Sequence, residues 1–173
     1  MWIYDKKLQY PVKIKNPNPA AAKVIISQLG GADGELAASM RYLHQRYSMP
    51  YNEVVGILTD VGTEELAHLE IIAAILYQLT KGVSPEDMKR AGLDTYFVDH
   101  TAGLYPQSAA GVPFDMKYVG IKGDVLADLN EDLAADAAII KEQPLREKSR
   151  KPLKYKDFSH LGKTPENCIP AII

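Results

Sequence analysis

Between Ala20 and Tyr47 apolar residues return every three or four positions, at Ile25, Leu29, Ala32, Leu36, Met40 and Leu43. This stripe predicts one long helix. Gly30, Gly31 and Gly34 oppose that reading, because each costs roughly 1 kcal/mol against alanine inside a helix, so a break near Asp33 is the alternative. Glycines retained there would point to a close neighbour. Pro50 ends the pattern, and a second one runs from Tyr51 to Leu79 before Lys81 and Gly82 supply a basic last turn and a stop. Its stripe reads Leu58, Val61, Glu65, His68, Ile72, Leu76 and Leu79, so a carboxylate and an imidazole stand in line with aliphatic side chains. Ser84, Pro85, Glu86 and Asp87 are N-cap, first-turn proline and acidic-first-turn signals for a short helix to Ala91, closed by Gly92.

Residues 92 to 122 hold no sustained period and carry Gly103, Pro106, Gly111, Pro113 and Gly120, which reads as a long crossover connection. A loop of that length within one domain is normally functional or wraps a neighbour. A third helical pattern starts near Asp124, with Leu126, Leu129, Leu133, Asp136 and Ile140 on one face, and stops before Pro144. Ahead of the helices, residues 1–19 alternate charged and apolar positions and end in Asn16-Pro17-Asn18-Pro19, which favours an extended arm able to pack on a partner. The chain therefore divides into an N-terminal arm (1–19), a helical domain (20–143) and a C-terminal tail (144–173).

Composition changes this picture only at the tail. The 173 residues, 46% of them hydrophobic and with a net charge of −2, suit one ordinary globular domain and give no reason to expect nucleic acid as a partner. Residues 145–173, however, hold seven Lys or Arg against three Asp or Glu, punctuated by Pro152, Pro165 and Pro170, and no helical period survives there. An irregular, extended basic segment is expected. No stretch approaches the roughly 18 apolar residues of a membrane span, and the first residues lack the apolar run of a secretory signal, so cytoplasmic synthesis is expected. Cys168 is the only cysteine, which excludes an intrachain disulfide and a cysteine-based zinc site. Any bound metal must be held by carboxylates and histidines.

Glu65 and His68 are spaced i, i+3, so both side chains leave one side of a helix and can grip one metal ion together. The spacing alone is common. Its register on a core-facing stripe makes it informative, because an unpaired buried carboxylate costs several kcal/mol, of the order of 3–5, and must find a cation or a donor. Glu35, beside Gly34, can point inward between helices, and Asp136 is the one acid on an otherwise aliphatic stripe. Three inward acids and one inward histidine on three helices match the recipe by which helix bundles build di-iron and di-manganese centres. Other residues offer less. His44 reads as a structural helix histidine, His100 as a local hydrogen-bonding group, Asp157 and His160 as a spaced pair in the tail, and Cys168 as inert. No Lys-Ser or Lys-Thr follows Gly30–Glu35 to make a phosphate loop.

In order and spacing, Gly30-Gly31-Ala32-Asp33-Gly34-Glu35, Thr63-Glu64-Glu65-Leu66-Ala67-His68, Ala110-Gly111-Val112-Pro113-Phe114, Gly123-Asp124 and Ala134-Ala135-Asp136 resemble the manganese catalases. The opening from Met1 to Pro11 resembles the CotJC-type spore coat branch of that family. The resemblance covers residues 1–136. It implies an all-α, ferritin-like up-down helix bundle, two manganese ions (with iron as the alternative), hydrogen peroxide as substrate, a homo-oligomer and a place in the spore coat, where other coat proteins would be neighbours. By position it implies Glu35, Glu65, His68 and Asp136 as metal ligands, with Glu65 bridging. Two departures stand out. Asp136 occupies a glutamate position of the family, and the family's fourth helix with its second histidine has no counterpart here, its place being taken by the basic tail. A non-catalytic coat scaffold and an iron-oxidising ferritin-like protein are the rival readings.

Overall fold

The computed structural model describes residues 7–93 and 103–141, excepting the side chains of residues 136 and 138–141. The Asp136 carboxylate, His100, Asp157, His160, Cys168 and the whole tail therefore lie outside the described residues. Within them the helices are α1 (Pro19–Gly30), α2 (Glu35–Gln45), α3 (Asn52–Thr80), α4 (Pro85–Arg90) and α5 (Val125–Lys141), with 3-10 turns at Arg46–Ser48 and Met116–Tyr118. No strand occurs among the described residues, where the sole β feature is an isolated bridge between Gln107 and Pro113. No helix among them is long and apolar enough to cross a membrane.

The boundaries follow local chemistry. The Asn18 side chain accepts from the Ala21 N–H at 3.1 Å and Pro19 occupies the first turn, which starts α1. Ser84 does the same for α4 by accepting from Asp87 N–H at 3.1 Å. Gly82 and Gly92 take positive φ and end α3 and α4.

Of the two readings of Ala20–Tyr47, the structure takes the break: the chain leaves the helix after Gly30 and re-enters at Glu35. Glycine is what the crowded break accepts. An added Cβ on Gly31 would lie 2.5 Å from the Ser27 carbonyl oxygen, and one on Gly34 would lie 2.7 Å from those of Ser27 and Gln28. A Cβ on Gly30 would run into the backbone of Pro106 and Gln107, because the crossover lies directly on the end of α1 and is tied there by Ala109 N–H donating to Ser27 Oγ at 2.7 Å. The long connection wraps its own chain.

The break also resets the helix face. In α2 the inward residues are Ala37, Ala38, Ser39, Arg41, Tyr42 and Gln45, while Leu36, Met40 and Leu43 of the expected stripe are half-buried. Small residues face α3 and allow close approach: the Ser39 hydroxyl donates to the Gly62 carbonyl at 2.9 Å, and a Cβ on Gly62 would lie 2.8 Å from the Leu43 side chain. On α3 the stripe holds, with Leu58, Ile72, Leu76 and Leu79 buried beside Ile71 and Ile75.

The face expected for α5 is corrected by rotation. Leu126 and Leu133 are 74% and 70% exposed, and the buried positions are Asp128, Asp132 and Ala135. Polar pinning sets this phase. Asp128 accepts from the N–H groups of Lys122 and Gly123 at 2.7 and 3.0 Å, and Arg41, buried in α2, pairs with Glu131 at 3.8 Å and with Asp33 at 3.6 Å. Glu131 and Asp33 are themselves 32% and 40% exposed, so these pairs are partly screened by solvent and act together with the Asp128 hydrogen bonds in holding the helix in this phase.

Residues 7–18 carry no helix and lie on α1 and α3. Val12 is buried in the main core, and Leu8, Tyr10 and Ile14 pack against it. Gln78 clamps the arm by donating to Val12 C=O at 2.9 Å and accepting from Ile14 N–H at 2.7 Å. The arm offered by the sequence to a partner is thus occupied by its own chain.

Replacing Gly30 with alanine is expected to lower the unfolding free energy by about 1–3 kcal/mol in a urea titration, the usual penalty of overpacking. Gly56→Ala, on a helical position where an added methyl meets nothing within 4 Å, is expected to raise it by up to about 1 kcal/mol.

Candidate metal centre

The Ser39–Gly62 contact fixes which residues of α2 and α3 oppose each other. One turn before Ser39 stands Glu35, the first residue of α2, where its charge also complements the helix N-terminus. One turn after Gly62 on the antiparallel α3 stands Glu65, with His68 a further turn along on the same side of the helix. A carboxylate oxygen of Glu35, one of Glu65 and a ring nitrogen of His68 all lie within 4.8 Å of one another. The structure thus brings together three of the four acids and imidazoles singled out in the sequence; the side chain of the fourth, Asp136, is outside the described residues, although its helical position follows Asp132 by one turn on α5.

The imidazole is oriented. His68 Nδ1 lies 2.8 Å from Glu65 Oε2 and 3.8 Å from Glu35 Oε2, so this nitrogen faces the cluster, and Nε2 faces away, 3.9 Å from Glu64 Oε1. The side chains of Glu35 and Glu65 are 15% exposed and that of His68 20%. Such burial pushes the Glu65 carboxyl up to about 7, the nearby Glu35 carboxyl adding to the rise and His68 opposing it. His68 is pushed up to about 10, chiefly by Glu35 and then by Glu65, against the opposing pull of burial. Protons thus hold together two acids and a base that would otherwise repel or stay desolvated. A dication can take their place, since two carboxylates and one imidazole are hard-to-intermediate donors suited to manganese or iron, and their displacement would couple binding to proton release.

The 1–147 segment matches the family model described as manganese containing catalase. The chain belongs to the manganese-containing catalase family. It is 57% identical over 136 residues to Protein CotJC of Bacillus subtilis, covering 79% of this chain and 71% of that protein. It is 33% identical over 141 residues to a probable manganese catalase of Clostridium acetobutylicum, spanning 61% of that protein's length. Among solved structures, the fold superposes on KatB, a manganese catalase from Anabaena, with a TM-score of 0.72 and 30% identity, over 82% of this chain and 64% of that one. This manganese catalase family member therefore spans under two thirds of those two catalases. The likeness gives the described helices their place in a ferritin-like bundle, and the family match runs to residue 147, beyond the resemblance at 136 read from motifs.

Reading stripes by their aliphatic members missed Arg41, Asp128 and Asp132, all buried. For the two aspartates a signal existed: Val125, Asp128, Asp132 and Ala135 repeat at helical spacing as regularly as the leucines do. Glu64 was quoted within its motif but given no task.

For Glu65 and His68 alike the folded protein holds its proton more tightly than the unfolded chain does. The stabilisation from Glu65 is complete below about pH 4.5 and lost towards pH 7, and that from His68 is complete below about pH 6.5 and lost towards pH 10. The melting temperature of metal-stripped protein is therefore expected to fall as pH rises from 5 to 10, and the double variant Glu65→Gln, His68→Gln is expected to flatten that slope in a calorimetric series.

Proposed function

We propose that the protein disproportionates hydrogen peroxide at a two-manganese site and resides in the spore coat. The observation that carries this reading is the convergence of Glu35, Glu65 and His68 between α2 and α3. Glu35, Glu65 and His68 would hold the metal, with Asp136 as the acid that α5 would contribute. Bound manganese would supply a two-electron reservoir, so that peroxide is oxidised to dioxygen in one half-reaction and reduced to water in the next. The protein's own part is to orient the donor atoms. The two carboxylates balance cationic charge in a partly desolvated cleft. Bound as ligands, Glu35 and Glu65 would be held as carboxylates by the cations and would release on metal binding the protons that the empty cluster retains. The spore coat location rests on the likeness to the CotJC-type branch, and a homo-oligomer on the family.

A second reading has its own observation. Leu126 and Leu133 stand exposed on the outer face of α5, an apolar surface that favours assembly. On that reading the bundle is a coat scaffold without turnover.

Purified after expression with added manganese, the protein is expected to carry about two manganese ions per chain by mass spectrometry and to release dioxygen from peroxide. Both are expected to vanish in Glu65→Ala, His68→Ala protein that keeps its helical circular dichroism. Metal unaffected by the double substitution would overturn the proposed site, and iron in place of manganese would favour the iron-oxidising reading. Manganese bound without dioxygen release would favour the scaffold.

A further inference from the structure

The arm and the candidate metal centre are joined by an exposed polar contact. Gln9 lies outside the apolar alternation of Leu8, Tyr10, Val12 and Ile14, and its Nε2 donates to Glu64 Oε1 at 3.3 Å. That same oxygen lies 3.9 Å from His68 Nε2, the ring nitrogen turned away from Glu35 and Glu65. The arm is held at its other end too, by the Gln78 clamp on Val12 and Ile14 and by Asn18 N–H donating to Leu79 C=O at 2.8 Å. It therefore runs beside α3 in the same direction. From Glu64 to Gln78 the helix rises about 21 Å, and the extended chain from Gln9 to Ile14 covers about 17 Å, the remainder falling within the reach of two glutamine side chains. The contact is set by the register of the whole strap.

We propose that Glu64, steadied by Gln9 of the arm, is a positioning residue for His68: it accepts the Nε2–H of the ring and thereby keeps Nδ1 aimed at the metal. This rests on the reading of Glu35, Glu65 and His68 as a metal site. A histidine that binds metal through one nitrogen donates the other N–H to an acceptor, and that acceptor fixes the ring's orientation and tautomer. At 3.9 Å the present separation is an ion-pair distance; a small rotation of either side chain brings it to hydrogen-bond length. Glu64 suits the role because it is next to Glu65 in sequence yet points to the opposite edge of the ring, and because its oxygen is already held from the far side by Gln9. The arm becomes part of the site's geometry.

The test is Mn(II) affinity, read from the electron paramagnetic resonance signal of free Mn(II) in titrations of the full chain. Glu64→Ala is expected to weaken binding by roughly 10- to 100-fold, Gln9→Ala to weaken it by a smaller factor, and Glu64→Gln, which keeps an acceptor oxygen, to stay within about threefold of the parent. In Zn(II)-loaded protein, the His68 Nε2–H resonance is expected in the parent and Glu64→Gln spectra and to broaden in Glu64→Ala. Parent-like affinity and an unchanged Nε2–H signal in Glu64→Ala would overturn the proposal, and so would equal losses in Glu64→Ala and Glu64→Gln. Glu65→Ala, His68→Ala separates the two layers: if it abolishes binding while Glu64→Ala does not weaken it, only the positioning role fails. If it leaves binding intact, the site itself is wrong and the positioning role falls with it.

Discussion

The approach of α2 to α3 at Ser39 and Gly62 is the constraint on which the rest of the structure depends. A hydroxyl donating to a helix carbonyl and a glycine with Leu43 lying where its side chain would be leave no room for a larger residue on either helix. Because the two helices are antiparallel and this close, Glu35 and the Glu65–His68 pair meet one turn further along, beyond the small residues. The centre is thus a product of helix spacing. Wider separation would leave three ordinary half-buried polar residues, each free to find water, and no shared position for a cation.

Placing two acids and a base in a cleft of low exposure has an energetic cost, and the surrounding fold accommodates it with further polar contacts. Arg41, 1% exposed, reaches Asp33 at the break and Glu131 on α5, while Asp128 gathers two backbone donors of the turn before α5. Gln45 adds a hydrogen bond to Gly120 C=O at 3.0 Å. These contacts decide where α5 lies against α2 and leave leucines facing outward. Arg41 links the break to α5, whereas Gln45 and Asp128 hold the crossover at the C-terminal end of α2, opposite to Glu35.

Of two apolar clusters, the smaller, built on Ala38, Tyr42, Met49 and Leu58, lies among these polar contacts, and the larger stands apart from them. Ile25, Ile26 and Leu29 of α1 pack with Ile71, Ile72, Ile75, Leu76 and Leu79 of α3, with Met88 of α4 and with Val12 of the arm. This half of the molecule holds no described metal-binding cluster, and it anchors α3 firmly at the end remote from Glu65. The long α3 therefore has one end set by hydrophobic packing and the other by α2, with the candidate donors between them. The arm lies along the same helix from one region to the other.

The sequence by itself determined what depends on near neighbours in the chain. Helical periods placed α3 and α4 closely, the Ser84 cap and the Gly82 and Gly92 stops were visible as residues, and the i, i+3 spacing of Glu65 and His68 follows from helix geometry alone. Motif order went further and placed the chain in its family, with Glu35 as a third candidate donor. Only the tertiary structure decided what depends on residues distant in sequence. Periodicity could not choose between one helix and two over Ala20–Tyr47, because it does not show that the backbone of Pro106 and Gln107 comes to lie on Gly30. It mistook the inward face of α5, because a buried arginine and two backbone donors outweighed the leucines. It left Glu64 without a task, because Gln9 reaches it from another element. Local spacing gives a side chain its direction on a helix; what it meets is fixed by how the helices are rotated against one another, and that rotation is a balance over the whole fold.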